Sequence, residues 1–187
     1  MIEELILKAK NKDIDALQAI FLEYKVMLYK IARTRLRNIE DIEDAFQDTI
    51  IEVYKNIGKL KDVNKFKSWI ITILINKCNK ILKNKKYNLS YEKLTEVNFN
   101  GKDPSNTSEE EFRNIKDYEK ITNIEFQEVL DRLSIDERTI ITLHYLEGYK
   151  SCEIAKILKK SDSTIRVKLM NARNKIKVMI KEAEDYE

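Results

Sequence analysis

Residues that interrupt regular structure are scarce in this chain, and that scarcity decides its class. Of 187 residues, only Gly58, Gly101, Pro104 and Gly148 are glycine or proline. A chain of short strands needs turn residues every 8–12 positions or so, and nothing here supplies them. The spacing of apolar residues is helical instead. Leu17, Ile20, Phe21, Tyr24, Leu28 and Ile31 form one stripe, and Ile42, Ala45, Phe46, Ile50, Val53 and Ile57 a second. Phe66, Trp69, Ile70, Ile73, Leu74, Cys78 and Ile81 form a third. Asn38 is placed to cap the second helix and Gly58 to end it. The expected fold is all-α.

The periodicity lapses once. Residues 87–120 are polar and contain Gly101 and Pro104, which predicts a flexible acidic linker. Two small helical domains are therefore expected, over residues 1–86 and 121–187. In the second, Ile124, Val129, Leu130 and Leu133 make a stripe, and Ser134 to Glu137 spells a capping box. A short amphipathic helix follows from Cys152. Ser161 then caps a longer basic helix, which is helix-turn-helix spacing.

Several function classes drop out at this stage. Cys78 and Cys152 each lie in an apolar helical pattern and read as buried free thiols of a reducing compartment. With His144 the single histidine, no metal-ligand cluster is expected, and no cofactor. No nucleophile–base pair or phosphate-cradling glycine loop argues for an enzyme. The first twelve residues are too short and acidic for a signal peptide, and no run approaches a membrane span, so a cytoplasmic protein is expected.

The net charge of +3 hides a segregated pattern. Residues 38–54 carry six acids and no base, whereas residues 55–86 carry ten bases against one acid. Residues 121–149 are again acidic, and residues 150–181 carry ten bases against two acids. Two basic blocks, each preceded by an acidic one, point to a polyanionic partner beside a protein partner.

Residues 161–177 sharpen that reading. At 100° per residue, Ile165, Leu169, Ala172 and Ile176 share one face and must be the buried one. Ser163, Val167, Met170, Asn171 and Asn174 share the opposite face, flanked by Arg166, Lys168, Arg173 and Lys177. Flanking cations can hold phosphates, amides can bond base edges, and apolar side chains can meet thymine methyls. The same face would also suit a second protein.

At this point a family resemblance enters. Leu133 to Ile176 resembles the C-terminal promoter-reading domain of bacterial RNA polymerase sigma factors, of the small extracytoplasmic-function (ECF) type. Asp44-x-x-Gln47-Asp48 and Phe66-x-x-Trp69 resemble motifs of that family's first conserved domain. The resemblance runs in order along nearly the whole chain.

The resemblance implies a protein that binds core RNA polymerase, directs it to promoter DNA and helps open the duplex. By it, Asp44, Gln47, Asp48, Ile51 and Glu52 would dock on the polymerase. Lys59, Lys61, Asn64, Lys65 and Lys67 would hold a flipped base of the −10 element. Asn76, Lys80, Lys83, Lys85 and Lys86 would track phosphates. Ser163, Thr164, Arg166, Val167, Lys168, Met170, Asn171 and Arg173 would read the −35 element. Val167 and Asn171 depart from the family's usual small or polar residue and arginine, which implies a different promoter sequence. Lys159 stands where the family often has glycine, at a cost of roughly 1 kcal/mol if the turn is left-handed. Family members are commonly held inactive by an anti-sigma factor, often anchored in the membrane, and a monomeric state without a small-molecule ligand is implied. The alternative is a stand-alone helix-turn-helix regulator that acts without the polymerase. That alternative leaves the N-terminal half unexplained and lacks a visible dimer seam.

Overall fold

A computed structural model of the chain describes residues 2–94 and 129–184. The chain divides into two compact units, Met1–Glu119 and Lys120–Glu187. Every regular element among the described residues is helical.

The first unit holds α1 (Ile2–Lys10), α2 (Ile14–Arg33), α3 (Ile39–Asn56) and α4 (Phe66–Leu94). Asp13 caps α2 by accepting from Ala16 N at 3.0 Å, and Asn38 caps α3 by accepting from Glu40 N at 2.7 Å. Leu17, Ile20, Phe21, Leu28 and Ile31 of α2 are buried against Ile42, Ala45 and Val53 of α3 and Phe66, Ile70, Leu74 and Cys78 of α4. Each such aliphatic side chain contributes about 1.5–3 kcal/mol on leaving water. Phe46 fills the space between Phe21 and Tyr29, with ring centroids 5.7 and 4.9 Å away.

Three details depart from expectation. The buried face of α4 is centred near Leu74 and extends to Ile71 and Ile75, which leaves Trp69 and Ile73 at its half-buried opposite edge. Gly58 does not end α3 in a left-handed conformation. Ile57 takes the cap, and Gly58 lies within a short 3₁₀ turn, Ile57–Lys59. Finally, α4 continues to Leu94, so residues 87–94, expected to open the linker, are helical. The remainder of the expected linker, and Ile124, lie outside the described residues.

The second unit holds α5 (Ile135–Ile141), a π turn (Thr142–Leu146), α6 (Ser151–Leu158) and α7 (Asp162–Glu184). The capping box forms at the start of α5. Glu137 N donates to Ser134 Oγ at 3.4 Å, and Ser134 N donates to Glu137 Oε2 at 2.9 Å. Gly148, at φ 74°, turns the chain after the π turn. α6 ends on Lys159, left-handed at φ 53° and ψ 46°, as the helix-turn-helix reading requires. Ile154, Ile157, Ile165, Leu169 and Ala172 close the core with Leu130, Leu133, Ile140 and Leu143. Cys78 is buried, but Cys152 is exposed, contrary to the expectation for both thiols. Cys152 opens α6 on the face away from Ile154, Ala155 and Ile157.

Candidate nucleic-acid and polymerase interfaces

Arranging α7 around its axis sorts the residues of the expected recognition helix. Ile165, Leu169 and Ala172 are buried, while Ser163, Val167, Met170, Asn171 and Asn174 face solvent. Val167 and Met170 are 53 and 55 % exposed. Ile14 and Leu22 of α2 are more exposed still, so what sets Val167 and Met170 apart is their place on the solvent face between flanking cations. Ser161 Oγ accepts from Thr164 N at 3.1 Å and lies 2.7 Å from Thr164 Oγ1, so Thr164 is engaged in the cap.

The flanking cations are not loose. Arg166 pairs with Asp162 at 2.6 Å one turn earlier. Lys168 lies 3.2 Å from Asp136 of α5, which also takes Lys160 at 2.6 Å. Arg173 donates Nε–H to the Tyr145 hydroxyl at 2.6 Å. Lys175, one turn past Asn171, binds both carboxylate oxygens of Glu137 at 2.8 and 2.9 Å. Burial works against ionising Asp136 and Glu137, yet the lysines facing them outweigh it and hold both carboxyls below their ordinary ranges.

In the first unit, Asp44, Gln47, Asp48 and Ile51 form one exposed face of α3, and Ile51 is 50 % exposed. Lys55 lies on the same face at the C-terminal end of α3, and is exposed. Glu52 turns aside. It accepts from Asn56 Nδ2 at 2.7 Å and from Lys77 Nζ of α4 at 3.1 Å, while Asp48 stands 3.9 Å from the same lysine. An acidic face with an exposed isoleucine repels a phosphate backbone and suits a protein.

The loop between α3 and α4 presents Lys59, Lys61, Asn64 and Lys65 to solvent, with Lys67 half-buried. Asp62 organises it by accepting from Asn64 N at 3.0 Å and pairing with Lys65 at 3.5 Å. The Asn64 N–H is the main reason its carboxyl lies below the ordinary range. α1, which the apolar periodicity did not single out, braces this loop. Lys10, at the end of α1, donates to the Leu60 carbonyl at 2.8 Å, and Lys12, in the turn after α1, donates to the Tyr54 carbonyl of α3 at 2.6 Å. Ile6 and Ala9, one turn apart, are the sequence signal that could have found this helix.

Along α4, Asn76, Lys80 and Lys83 recur at helical spacing on one exposed stripe. Lys77 and Lys85 point elsewhere, to α3, where Lys85 meets Asp41 at 2.5 Å. Arg35 donates to Asn79 Oδ1 at 2.7 and 3.0 Å beside that stripe. Trp69 packs against Phe66 with centroids 5.9 Å apart, so its ring belongs largely to the core edge. Among the described residues there is no cluster of metal-ligating side chains and no helix long and apolar enough to cross a membrane.

Comparison with known proteins agrees on a single family. Residues 20–87 match the model of sigma-70 region 2, and residues 123–176 that of sigma-70 region 4. The chain is 25 % identical over 159 residues to the RNA polymerase sigma factor SigV of Bacillus subtilis, covering 84 % of this chain and 87 % of that one. It is 25 % identical over 192 residues to the ECF RNA polymerase sigma factor SigW of the same organism, covering 97 % and 98 %. Its fold resembles CnrH, solved in complex with the cytosolic domain of CnrY, at TM-score 0.64 and 17 % identity over 96 % of this chain and 97 % of that one. It also resembles the sigma factor RpoE of Bartonella quintana, solved with the anti-sigma factor NepR, at TM-score 0.66 and 19 % identity over 88 % and 96 %. The regions that carry the acidic helix, the basic helix and the helix-turn-helix are thus those that the family models match, and the chain belongs to the sigma-70 family, among its ECF sigma factors.

Proposed function

We propose that this chain acts as a promoter-specificity subunit: it binds core RNA polymerase through α3, reads DNA with α4 and α7, and catalyses no reaction of its own. In this reading Asp44, Gln47, Asp48 and Ile51 dock on the polymerase, and Glu52 acts mainly within the unit by holding Lys77. Lys59, Lys61, Asn64 and Lys65 meet the −10 element, and Asn76, Lys80 and Lys83 follow the strand's phosphates. Extruding a base costs a few kcal/mol, and polymerase binding must contribute to that. Ser163, Val167, Met170 and Asn171 face the −35 base edges, with Arg166 and Arg173 on one flank and Lys168 on the other.

The observation that carries this reading over a stand-alone regulator is the exposed acidic face of α3. A regulator that needed only α7 would have no use for a face that DNA repels. The two family-model matches, in order along the chain, support the same choice.

An anti-sigma factor is the second partner proposed. Two structural neighbours were solved with CnrY and with NepR, and the exposed Ile51, Val167 and Met170 offer such a partner apolar contact. A membrane anchor for that partner, a monomeric free chain and residence in the cytoplasm complete the proposal.

A gel-shift comparison tests it. Because each DNA-contacting unit is small and much of its positive charge is internally paired, the free chain is expected to bind promoter DNA weakly and tightly only with core polymerase. Tight sequence-specific binding by the isolated chain would favour the stand-alone regulator instead.

A further inference from the structure

The π turn, Thr142–Leu146, does more than link α5 to α6. It brings two consecutive side chains, His144 and Tyr145, onto the head of Arg173, a residue twenty-eight positions later in the sequence than Tyr145. The Tyr145 hydroxyl accepts from Arg173 Nε at 2.6 Å, and the guanidinium carbon lies 5.5 Å from the Tyr145 ring centroid. His144 stands behind, its ring edge-on to Tyr145 with centroids 4.8 Å apart. Its Nδ1 is 2.8 Å from the Tyr149 carbonyl and its Nε2 is 3.4 Å from Arg173 Nη2. A carbonyl only accepts, so Nδ1 carries the proton, and Nε2 is left to accept from Arg173.

We propose that Tyr145 is a positioning residue for DNA recognition: together with His144 it fixes the Arg173 guanidinium on the flank of the recognition helix, presenting its remaining N–H groups outward. The proposal rests on the reading of α7 as the DNA-facing helix. An exposed arginine has substantial rotamer freedom to lose on binding a phosphate. Tyr145 takes Nε and His144 one Nη2 hydrogen, so much of that freedom is lost before DNA arrives. Arg166 and Lys168, by contrast, are held by carboxylates that a phosphate must displace. Arg173 is held by a hydroxyl and an imidazole ring rather than a carboxylate, so a phosphate has no counter-charge to displace. A π turn shifts successive side chains relative to an α-helix, and that shift lets two adjacent residues address one target.

The test is a double-mutant cycle between Tyr145→Phe and Arg173→Ala. The full chain is bound to core polymerase, and the probe is the promoter fragment that this holoenzyme selects from an A·T-rich library. Tyr145→Phe keeps the ring over the guanidinium and removes only the hydroxyl. It is expected to weaken binding about three- to ten-fold, as for one charge-assisted hydrogen bond at an exposed site. The salt dependence should stay unchanged, since no charge is lost. Arg173→Ala should lower the salt slope by about one. In the Arg173→Ala background, Tyr145→Phe should have no further effect. Equal loss in both backgrounds would mean that Tyr145 touches DNA itself, and would overturn the positioning role, as would no loss with Tyr145→Phe while Arg173→Ala still weakens binding. An unchanged affinity with Arg173→Ala, or failure to select any promoter, would overturn the DNA-facing reading of α7 and this inference with it.

Discussion

The two units solve the same electrostatic problem in different ways. Each must present a row of cations without repelling itself apart. In the first unit the tasks are divided between residues: Lys77 and Lys85 pair with acids of α3, while Asn76, Lys80 and Lys83 point to solvent on a separate stripe. In the second unit the cations that flank the recognition face are themselves the paired ones, Arg166 with Asp162, Lys168 with Asp136 and Arg173 with Tyr145. The first arrangement rests on a large aliphatic core with ion pairs added at its surface. The second rests on a small core rimmed by carboxylate–lysine pairs. In the second unit, therefore, stability and the proposed DNA contacts draw on the same charges.

The largest expected difference follows from Glu137, which is 6 % exposed and accepts from Lys175 and Ser134. Glu137→Gln should destabilise the second unit by about 1–3 kcal/mol, the range for hydrogen bonds to a charged group. The corresponding Glu52→Gln in the first unit should cost at most about 1 kcal/mol, because that pair is half exposed. Urea unfolding resolved by unit checks this. Trp69, the single tryptophan, reports the first unit, and hydrogen exchange of peptides from residues 135–176 reports the second. Equal losses would erase the distinction.

The units should also fail at opposite ends of the pH scale. Asp136 and Glu137 have folded pKa values below their ordinary 3.8 and 4.5, so their contribution is present above those values and is lost as pH falls below them. In the first unit, burial above all, with Glu23 and Glu43 adding to it, pushes Tyr24 and Tyr29 above the ordinary 10.0. Raised values reverse the sign: that contribution is present below pH 10 and is lost as pH rises past it. Asp62 of the first unit is lowered too, but it serves the loop between α3 and α4 and not the buried core. Acid should therefore loosen the second unit first, and alkali the first. Tryptophan fluorescence and hydrogen exchange across a pH series would show the order, and a reversed order would contradict the assignment.

A smaller effect is expected at the turn. Lys159 adopts left-handed angles that cost a side chain about 1 kcal/mol relative to glycine. Lys159→Gly should stabilise the second unit by about that amount and leave the first unchanged. A loss of stability would show that the lysine side chain contributes more than its backbone costs.

Much of this was legible in the sequence because helices announce themselves by spacing. The stripes from Leu17, Ile42 and Ile165, the caps Asn38, Ser134 and Ser161, and the exposure of Ile51, Val167 and Met170 all follow from periodicity and local capping chemistry. What escaped depends on tertiary contact. α4 is apolar over much of its circumference near its start, so periodicity could not tell Ile71 from Ile73. Cys152 follows a helical pattern whose buried face begins only at Ile154. The extension of α4 through residues 87–94 was hidden because a polar sequence with adequate helix propensity has no stripe to reveal it. The holds on Lys168 and Arg173 come from Asp136 and Tyr145, more than twenty-five positions distant, and no local rule pairs them. The left-handed turn at Lys159 entered only as a conditional, through the family resemblance that often places glycine there; the lysine itself gives no local signal for it.

The central claim is that these charges serve promoter recognition by a polymerase subunit. In vitro transcription over an A·T-rich promoter library, with bacterial core RNA polymerase in the presence and absence of this chain, tests it directly. Specific transcripts that appear only with the chain, sharing two upstream elements, are the predicted result. No chain-dependent transcript, together with no co-elution of the chain with core polymerase, would contradict it.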